Sequence, residues 1–238
     1  MKTCEEGENG GMLDCCQELE AFDNGTKHDA ASFLSTGYLA ENTSSIQKLS
    51  VGIYRLLGNG TAVTFAALAQ KLSMDVKETG TLLSELPPSA IQYNDGGVIT
   101  AFIGLSLAPT PHRLLLDHRV LYTWCVFDGL FLPEILGKSA NIITHCPVTG
   151  EKISVHLASD KLISYEPRDA VMSVVTPDAQ SCRNNLRGAF CEHVSFFLDT
   201  ETFRLWAENK ENIKMMALED AYLLARQQNK ARYKDIHL

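Results

Sequence analysis

Residues Val120 to Gly150 read VLYTWCVFDGLFLPEILGKSANIITHCPVTG. Val120, Trp124, Phe127 and Phe131 recur at helical spacing, which predicts a buried helix starting near Asp117, an N-capping residue type, and broken near Pro133. On such a helix Cys125 and Asp128 share a face. A carboxyl group beside a thiol is a proton donor and acceptor next to a soft nucleophile. Burial among aromatics raises the pKa of both groups and encourages them to share one proton. A single core cysteine is most often inert packing. A carboxylate, however, is rarely placed on the apolar side of a helix without a partner or a task. The remainder of the stretch predicts a strand from Asn141 to Cys146, a PVTG turn, and a strand from Glu151 to Leu157.

Toward the amino terminus, Ile46, Leu49, Ile53, Leu56 and Leu57 fall on one helical face, and Gly58 is placed to end that helix. A second helix is predicted from about Thr64 to Leu72, and a third from about Asp75 to Leu86, stopped by Pro87 and Pro88. Strands around Ala90 to Tyr93 and Val98 to Leu105 follow, joined by a turn containing Asp95, Gly96 and Gly97. Three helices and a hairpin suggest a winged-helix arrangement. The proline-bearing stretch LAPTPHRLLLD, Leu107 to Asp117, reads as the crossing between domains.

Toward the carboxyl terminus, a strand is predicted at Val171 to Thr176 and another at Phe190 to Phe197. Alternation along FCEHVSFF puts Cys191, His193 and Ser195 on one face. Helices around Glu201 to Asn209 and Met216 to Tyr233 close the chain, with Phe203, Leu205, Trp206, Leu218, Tyr222 and Leu223 expected in the core. The resulting expectation is an α+β protein of three parts. Residues 1–40 form an acidic extension, residues 41–110 a winged-helix-like domain, and residues 111–238 a catalytic domain of mixed or antiparallel strands packed with helices.

The formal net charge of the 238 residues is -8, and the first 43 hold nine acidic and two basic residues, leaving the rest nearly neutral. The third helix offers Lys77 against Asp75, Glu78 and Glu85, the wrong balance for phosphate. These charges argue against nucleic acid and against an anionic membrane surface as partners. The longest apolar runs fall short of a membrane span and the start is acidic, so the expected location is cytoplasmic. Seven cysteines, an odd number with no C-x-x-C pair, read as thiols rather than a disulfide framework or a preformed zinc site. Cys4, Cys15 and Cys16 lie in the acidic extension, where no role is assigned to them.

Taken together, the W-C-x-x-D segment, the H-C-x-x-T-G turn and the F-C-x-H-V-x-F-F segment resemble the organomercurial (alkylmercury) lyase family, from about residue 40 to the carboxyl terminus. The resemblance implies an active site of Cys125, Cys191 and Asp128, with Cys146 as a structural cysteine. It implies protonolysis of the carbon–mercury bond for mercury detoxification, giving a hydrocarbon and mercury(II) held by Cys125 and Cys191. Organomercurial compounds are then the substrates, free thiols take part, a mercuric reductase is a candidate acceptor of mercury(II), and no organic cofactor is implied. Many family members carry a second cysteine directly after the one matched by Cys191; here that position is Glu192.

The chemistry suits these residues. Mercury(II) is soft and thiolate sulfur is its matching protein ligand. Two sulfurs on mercury push electron density toward carbon, which then accepts a proton from Asp128 as general acid. His193, His145 and Cys146 are read as structural. Two rival readings are a cysteine-based metal-responsive regulator, which needs a basic recognition helix, and a thiolate metal carrier, which leaves Asp128 without work.

Overall fold

A computed structural model describes residues 42–238 of the chain. The acidic extension and Cys4, Cys15 and Cys16 lie outside the described residues.

Three helices come first: α1 (Ser44–Leu57), α2 (Phe65–Leu72) and α3 (Val76–Ser84). Each begins at an oxygen-bearing side chain that accepts an otherwise unpaired N–H: Thr43 from Ile46, Thr64 from Ala67, and Asp75 from Lys77 and Glu78. Ile46, Leu49, Ile53 and Leu57 of α1 are buried, as their spacing requires. Gly58 caps α1 in the right-handed region rather than the left-handed one. Its use is room: a Cβ there would lie 2.8 Å from Leu136 Cδ2.

A 3-10 turn (Pro88–Ala90) leads into β1 (Ile91–Tyr93) and β2 (Ile99–Phe102), an antiparallel hairpin. An isolated bridge pairs Val63, between α1 and α2, with Ile99. The single strand expected to reach Leu105 instead turns sharply at Ile103 and Gly104, whose φ angles are 29° and 94°, so that β3 (Leu105–Ser106) pairs back on β2.

The crossing segment and the start of the predicted Asp117 helix prove to be a second hairpin. β4 (His112–Leu116) and β5 (Arg119–Thr123) meet at Asp117 and His118, and Asp117 adopts a positive φ of 52°. Val120 belongs to the alternation of this strand and not to a helical face; it is 43 % exposed. The helix begins only after Cys125, as α4 (Val126–Leu136). It also continues through Pro133. Proline removes one helical hydrogen bond, a cost of about 3 kcal/mol in an isolated helix, but this helix is apolar all round and packed on every side, and tertiary contacts override the local preference. It ends at Gly137, left-handed with φ 64°. On one side Gly129 lets it approach β6 (Ala140–His145) so closely that a Cβ would lie 2.6 Å from Ile142 Cδ1. On another, Phe131 meets Tyr54 of α1 edge-on.

β7 (Lys152–Leu157) and β8 (Leu162–Glu166) complete an antiparallel eight-stranded sheet ordered β1-β2-β3-β5-β4-β6-β7-β8, with strands from both sides of the loop at residues 107–111. β7 shows period-2 burial, with Ile153, Val155 and Leu157 inward. β9 (Val171–Val175) is followed by α5 (Ala179–Ala189), capped by Asp178, which the sequence reading did not assign.

The predicted strand Phe190 to Phe197 is corrected. Cys191–His193 is one 3-10 turn, closed by His193 N–H on Phe190 O and Val194 N–H on Cys191 O, and only β10 (Phe196–Phe197) is extended. The alternation assigned to Cys191, His193 and Ser195 therefore does not exist. α6 (Thr200–Ala207) follows; then β11 (Ile213–Ala217) pairs with β9, taking residues expected to start the last helix, which is α7 (Leu218–Arg232). A three-stranded sheet ordered β10-β9-β11 results. Leu205 and Leu223, expected in the core, are 61 % and 55 % exposed. Among the described residues no helix is long and apolar enough to cross a membrane.

Candidate active site

Cys125, Asp128 and Cys191 come together: their ligating atoms lie within 4.8 Å of one another and all three residues are buried. Two of them owe their positions to one helix end. Cys125 is the N-cap of α4 and Asp128 its third residue, and they form a reciprocal capping box. The Cys125 N–H donates to Asp128 Oδ2 at 2.8 Å, while the Cys125 sulfur receives the Asp128 N–H. Thr123 Oγ1 donates to Cys125 O at 2.7 Å and fixes the turn from β5 into the helix. The two residues thus meet as cap and third helical position rather than as neighbours within a longer helix.

The Asp128 carboxyl is also held from behind. A Cβ on Gly104 would lie 2.4 Å from both Cγ and Oδ1 of Asp128, and Gly104 O accepts the Trp124 N–H at 2.8 Å. Only a residue without a side chain allows that approach at φ 94°. Tyr54 braces the same turn, its hydroxyl donating to Ile103 O at 2.8 Å. Gly104 was missed in the sequence, although an isolated glycine in an apolar strand pattern signals a close backbone approach.

Cys191 arrives on a different segment, the 3-10 turn after α5. Phe190, just before it, packs edge-on against Phe127 of α4, with ring centroids 6.1 Å apart. Ser173 of β9 anchors the 3-10 turn, donating to His193 O at 2.8 Å and accepting the Ser195 N–H at 2.9 Å. Phe127 in turn meets Phe131 edge-on, so aromatic rings wall the cluster.

Burial dominates the electrostatics. It raises the Asp128 pKa to about 6, against the opposing pull of its hydrogen bonds from Cys125 and of the Arg232 and Arg187 charges. Burial, the sulfur–sulfur hydrogen bond with Cys191 and the Asp128 charge drive the Cys125 thiol well above its ordinary value. At Cys191 the hydrogen bond from Cys125 lowers the pKa, but burial and the Asp128 charge carry the net shift upward. The two thiols therefore rest protonated, while the Asp128 carboxyl, with a pKa of about 6, stands close enough to neutrality to take up and give back a proton. Cys182 of α5 is buried as well, and burial with the Cys191 charge raises it to about 12.

Cys146 stands outside the three-residue cluster, at the end of β6. Burial pushes its thiol up, but N–H groups of Thr149, Val148 and Leu198 more than offset this, so the net shift is downward. It ties the β6–β7 turn to the segment after β10. His145 is exposed and His193 half-buried.

The model of the family described as alkylmercury lyase matches residues 105–229, the span that contains every residue of the cluster. The chain belongs to the alkylmercury lyase family. An alkylmercury lyase of Bacillus cereus is 34 % identical over 186 residues, covering 78 % of this chain and 83 % of that protein. One of Pseudomonas putida is 33 % identical over 192 residues, covering 81 % and 86 %. The crystal structure of the mercury-bound form of MerB2 aligns with a TM-score of 0.73 at 24 % identity, over 86 % of this chain and 99 % of that one, a likeness of fold. Alkylmercury lyases are enzymes, so the buried thiol–carboxyl cluster sits within an enzyme fold.

Proposed function

We propose that the chain cleaves carbon–mercury bonds by protonolysis, with Cys125, Cys191 and Asp128 as the reacting groups. The observation that carries this reading is the approach of two thiols and one carboxyl to within 4.8 Å in a buried site. One thiol displaces the outgoing ligand X from an organomercurial R–Hg–X, and its proton leaves as HX. The second thiol adds to mercury, giving its proton to Asp128. Electron density from both sulfurs makes the carbon basic, and Asp128 delivers that proton as the carbon–mercury bond breaks. The balance closes: two thiol protons end on HX and RH, mercury(II) ends on two sulfurs, and nothing is oxidised or reduced. A carboxyl with a pKa of about 6 suits a relay that must both accept and donate near neutrality.

Excess free thiol would release the product, with a mercuric reductase as a candidate acceptor; the metal arrives in the substrate, so no organic cofactor is needed. Cys146 is a structural thiol in this scheme. Detoxification of organomercurials in the cytoplasm is the setting we propose. Residues 41–110 we read as a winged-helix-like module without DNA binding, before a catalytic part at 111–238. Support comes from the three helices, the hairpin, the Val63–Ile99 bridge, and a third helix with acidic residues at its start.

The test is to give the purified protein a simple organomercurial with excess free thiol and measure the hydrocarbon. Evolved hydrocarbon is expected; mercury bound without hydrocarbon would make the chain a carrier and end this reading.

A further inference from the structure

Of the two cations whose charges reach Asp128, Arg232 is buried and Arg187 is exposed, and the proton relay uses neither. Arg187 lies on α5, four residues before Cys191, and is exposed. Its guanidinium carbon stands 5.8 Å from the centre of the Trp124 ring, and Trp124 is the residue before Cys125. One side chain thus bridges the two segments that carry the thiols, and does so from the solvent side of an almost closed site, where Trp124 is 5 % and Cys191 6 % exposed. Among the described residues the guanidinium makes no hydrogen bond and no ion pair. Stacking over an indole face leaves the N–H edge of the guanidinium open. Its charge also reaches inward, acting on both Cys191 and Asp128.

In the presence of thiols an organomercurial is an adduct R–Hg–SR′, and the group SR′ has to leave the buried cluster, on whose solvent side Arg187 stands. We infer that Arg187 docks a carboxylate carried on that outgoing thiol, so that the favoured substrates are alkylmercury adducts of short carboxylate-bearing thiols. The inference rests on the proposed cleavage and names the form in which its substrate arrives. In the exchange a protein sulfur–mercury bond forms, the mercury–SR′ bond breaks, and the protein thiol proton leaves as HSR′. A guanidinium fork donates paired hydrogen bonds to a carboxylate, while an ammonium group on the same thiol would be repelled. Glu192, exposed beside Cys191, and the buried Asp128 oppose this preference; Arg187 is the cation whose charge acts on Cys191, and it alone of the three faces solvent beside Trp124 with a free N–H edge.

The test presents ethylmercury as its adduct with 3-mercaptopropionate, 2-mercaptoethanol or 2-mercaptoethylamine, one thiol per assay, and reads kcat/KM from ethane release. The expected order is carboxylate, neutral, ammonium, with the extremes differing roughly five- to tenfold at low salt and converging as salt rises. Arg187→Gln should bring the three within about twofold, while Arg187→Lys keeps the order because the charge remains. The salt dependence of the parent protein tests the same point without any variant. Equal kcat/KM for the three adducts in the parent, or an unchanged order in Arg187→Gln, overturns the docking role and leaves carbon–mercury cleavage standing. Absence of ethane from every adduct overturns the cleavage and the docking role together.

Discussion

Cys125 enters the cluster at the start of a helix that is buried along almost its whole length, whereas Cys191 enters after a helix that is mostly exposed. The first is a helix cap pinned between β5, the Gly104 turn and the buried body of α4, with its backbone bonded to Thr123 and Asp128. The second follows α5, of which only Cys182 and Leu186 are buried and whose regular course is broken at Asn185, with φ -153° and ψ 81°. Ser89 fastens α5 at Cys182 O and Arg183 O, and Ser173 fastens the turn beyond. The difference suits a site that closes on a metal-bearing substrate. Asp128 and Cys125 keep a fixed geometry, while Cys191 follows a helix with only two buried residues and a break in its course, features of the kind of segment from which moving elements are drawn.

Removing either thiol breaks the comparison most severely. Cys125→Ser and Cys191→Ser should each reduce hydrocarbon release below detection with the fold retained, since oxygen is a poor ligand for a soft metal. Hydrocarbon near the parental rate from either variant would remove that residue from the mechanism, and circular dichroism checks the fold.

Asp128→Asn tests the fixed half alone. It should still capture an organomercurial, measured by mass spectrometry, while single-turnover hydrocarbon release falls roughly 10²–10⁴-fold. Parental release would show that Asp128 is not the proton donor. The same variant has a stability signature. Folding raises the Asp128 pKa from 3.8 to about 6, so the unfolded carboxyl gives up its proton first. The contribution is thus fully present below pH 3.8 and lost as pH rises through about 6. An asparagine side chain has no charge to bury, so above about pH 7 the variant should gain up to about 3 kcal/mol over the parent. That gain should vanish near about pH 3.5 in denaturant titrations, and a pH-independent difference would contradict the raised pKa.

One pair of glycines sharpens the contrast between the halves. Gly104→Ala forces a Cβ against the Asp128 carboxyl at φ 94°, and should cost about 1–3 kcal/mol together with at least roughly tenfold in turnover. Gly188→Ala, on α5, meets the amide end of the Asn185 side chain, which can swing away, so its effect on stability should stay within about 1 kcal/mol. Equal effects at the two positions would show that α5 is as tightly determined as the helix cap. Cys146→Ser is expected to be the mildest for turnover, lowering stability by about 1–2 kcal/mol with hydrocarbon release retained. Lost turnover at intact stability would move Cys146 into the chemistry.

Much of this was legible in the sequence. Helices α1 to α3 announce themselves because Thr43, Thr64 and Asp75 are local caps and the apolar spacing is regular, both being properties of a few consecutive residues. Cys125 and Asp128 could be paired for the same reason, being three residues apart. The match of three short motifs to the alkylmercury lyase family supplied Cys191, which lies 66 residues from Cys125 and which periodicity could not have placed.

What local pattern could not decide was which period applied. Between Val120 and Phe131 strand and helix are both apolar, so the end of β5 and the start of α4 merge into one run, and the cap at Cys125 carries no Ser, Thr, Asn or Asp to mark it. The 3-10 turn at Cys191 was read as a strand because FCEHVSFF alternates well enough, yet Phe190 and Ser173 hold it through contacts with α4 and β9. The sequence by itself therefore determined the first three helices, the family and the three residues proposed to react. Only the tertiary structure decided that Cys125 is a helix cap, that Gly104 backs the carboxyl, and that Arg187 overlooks the thiols, because each depends on surfaces brought together from distant parts of the chain.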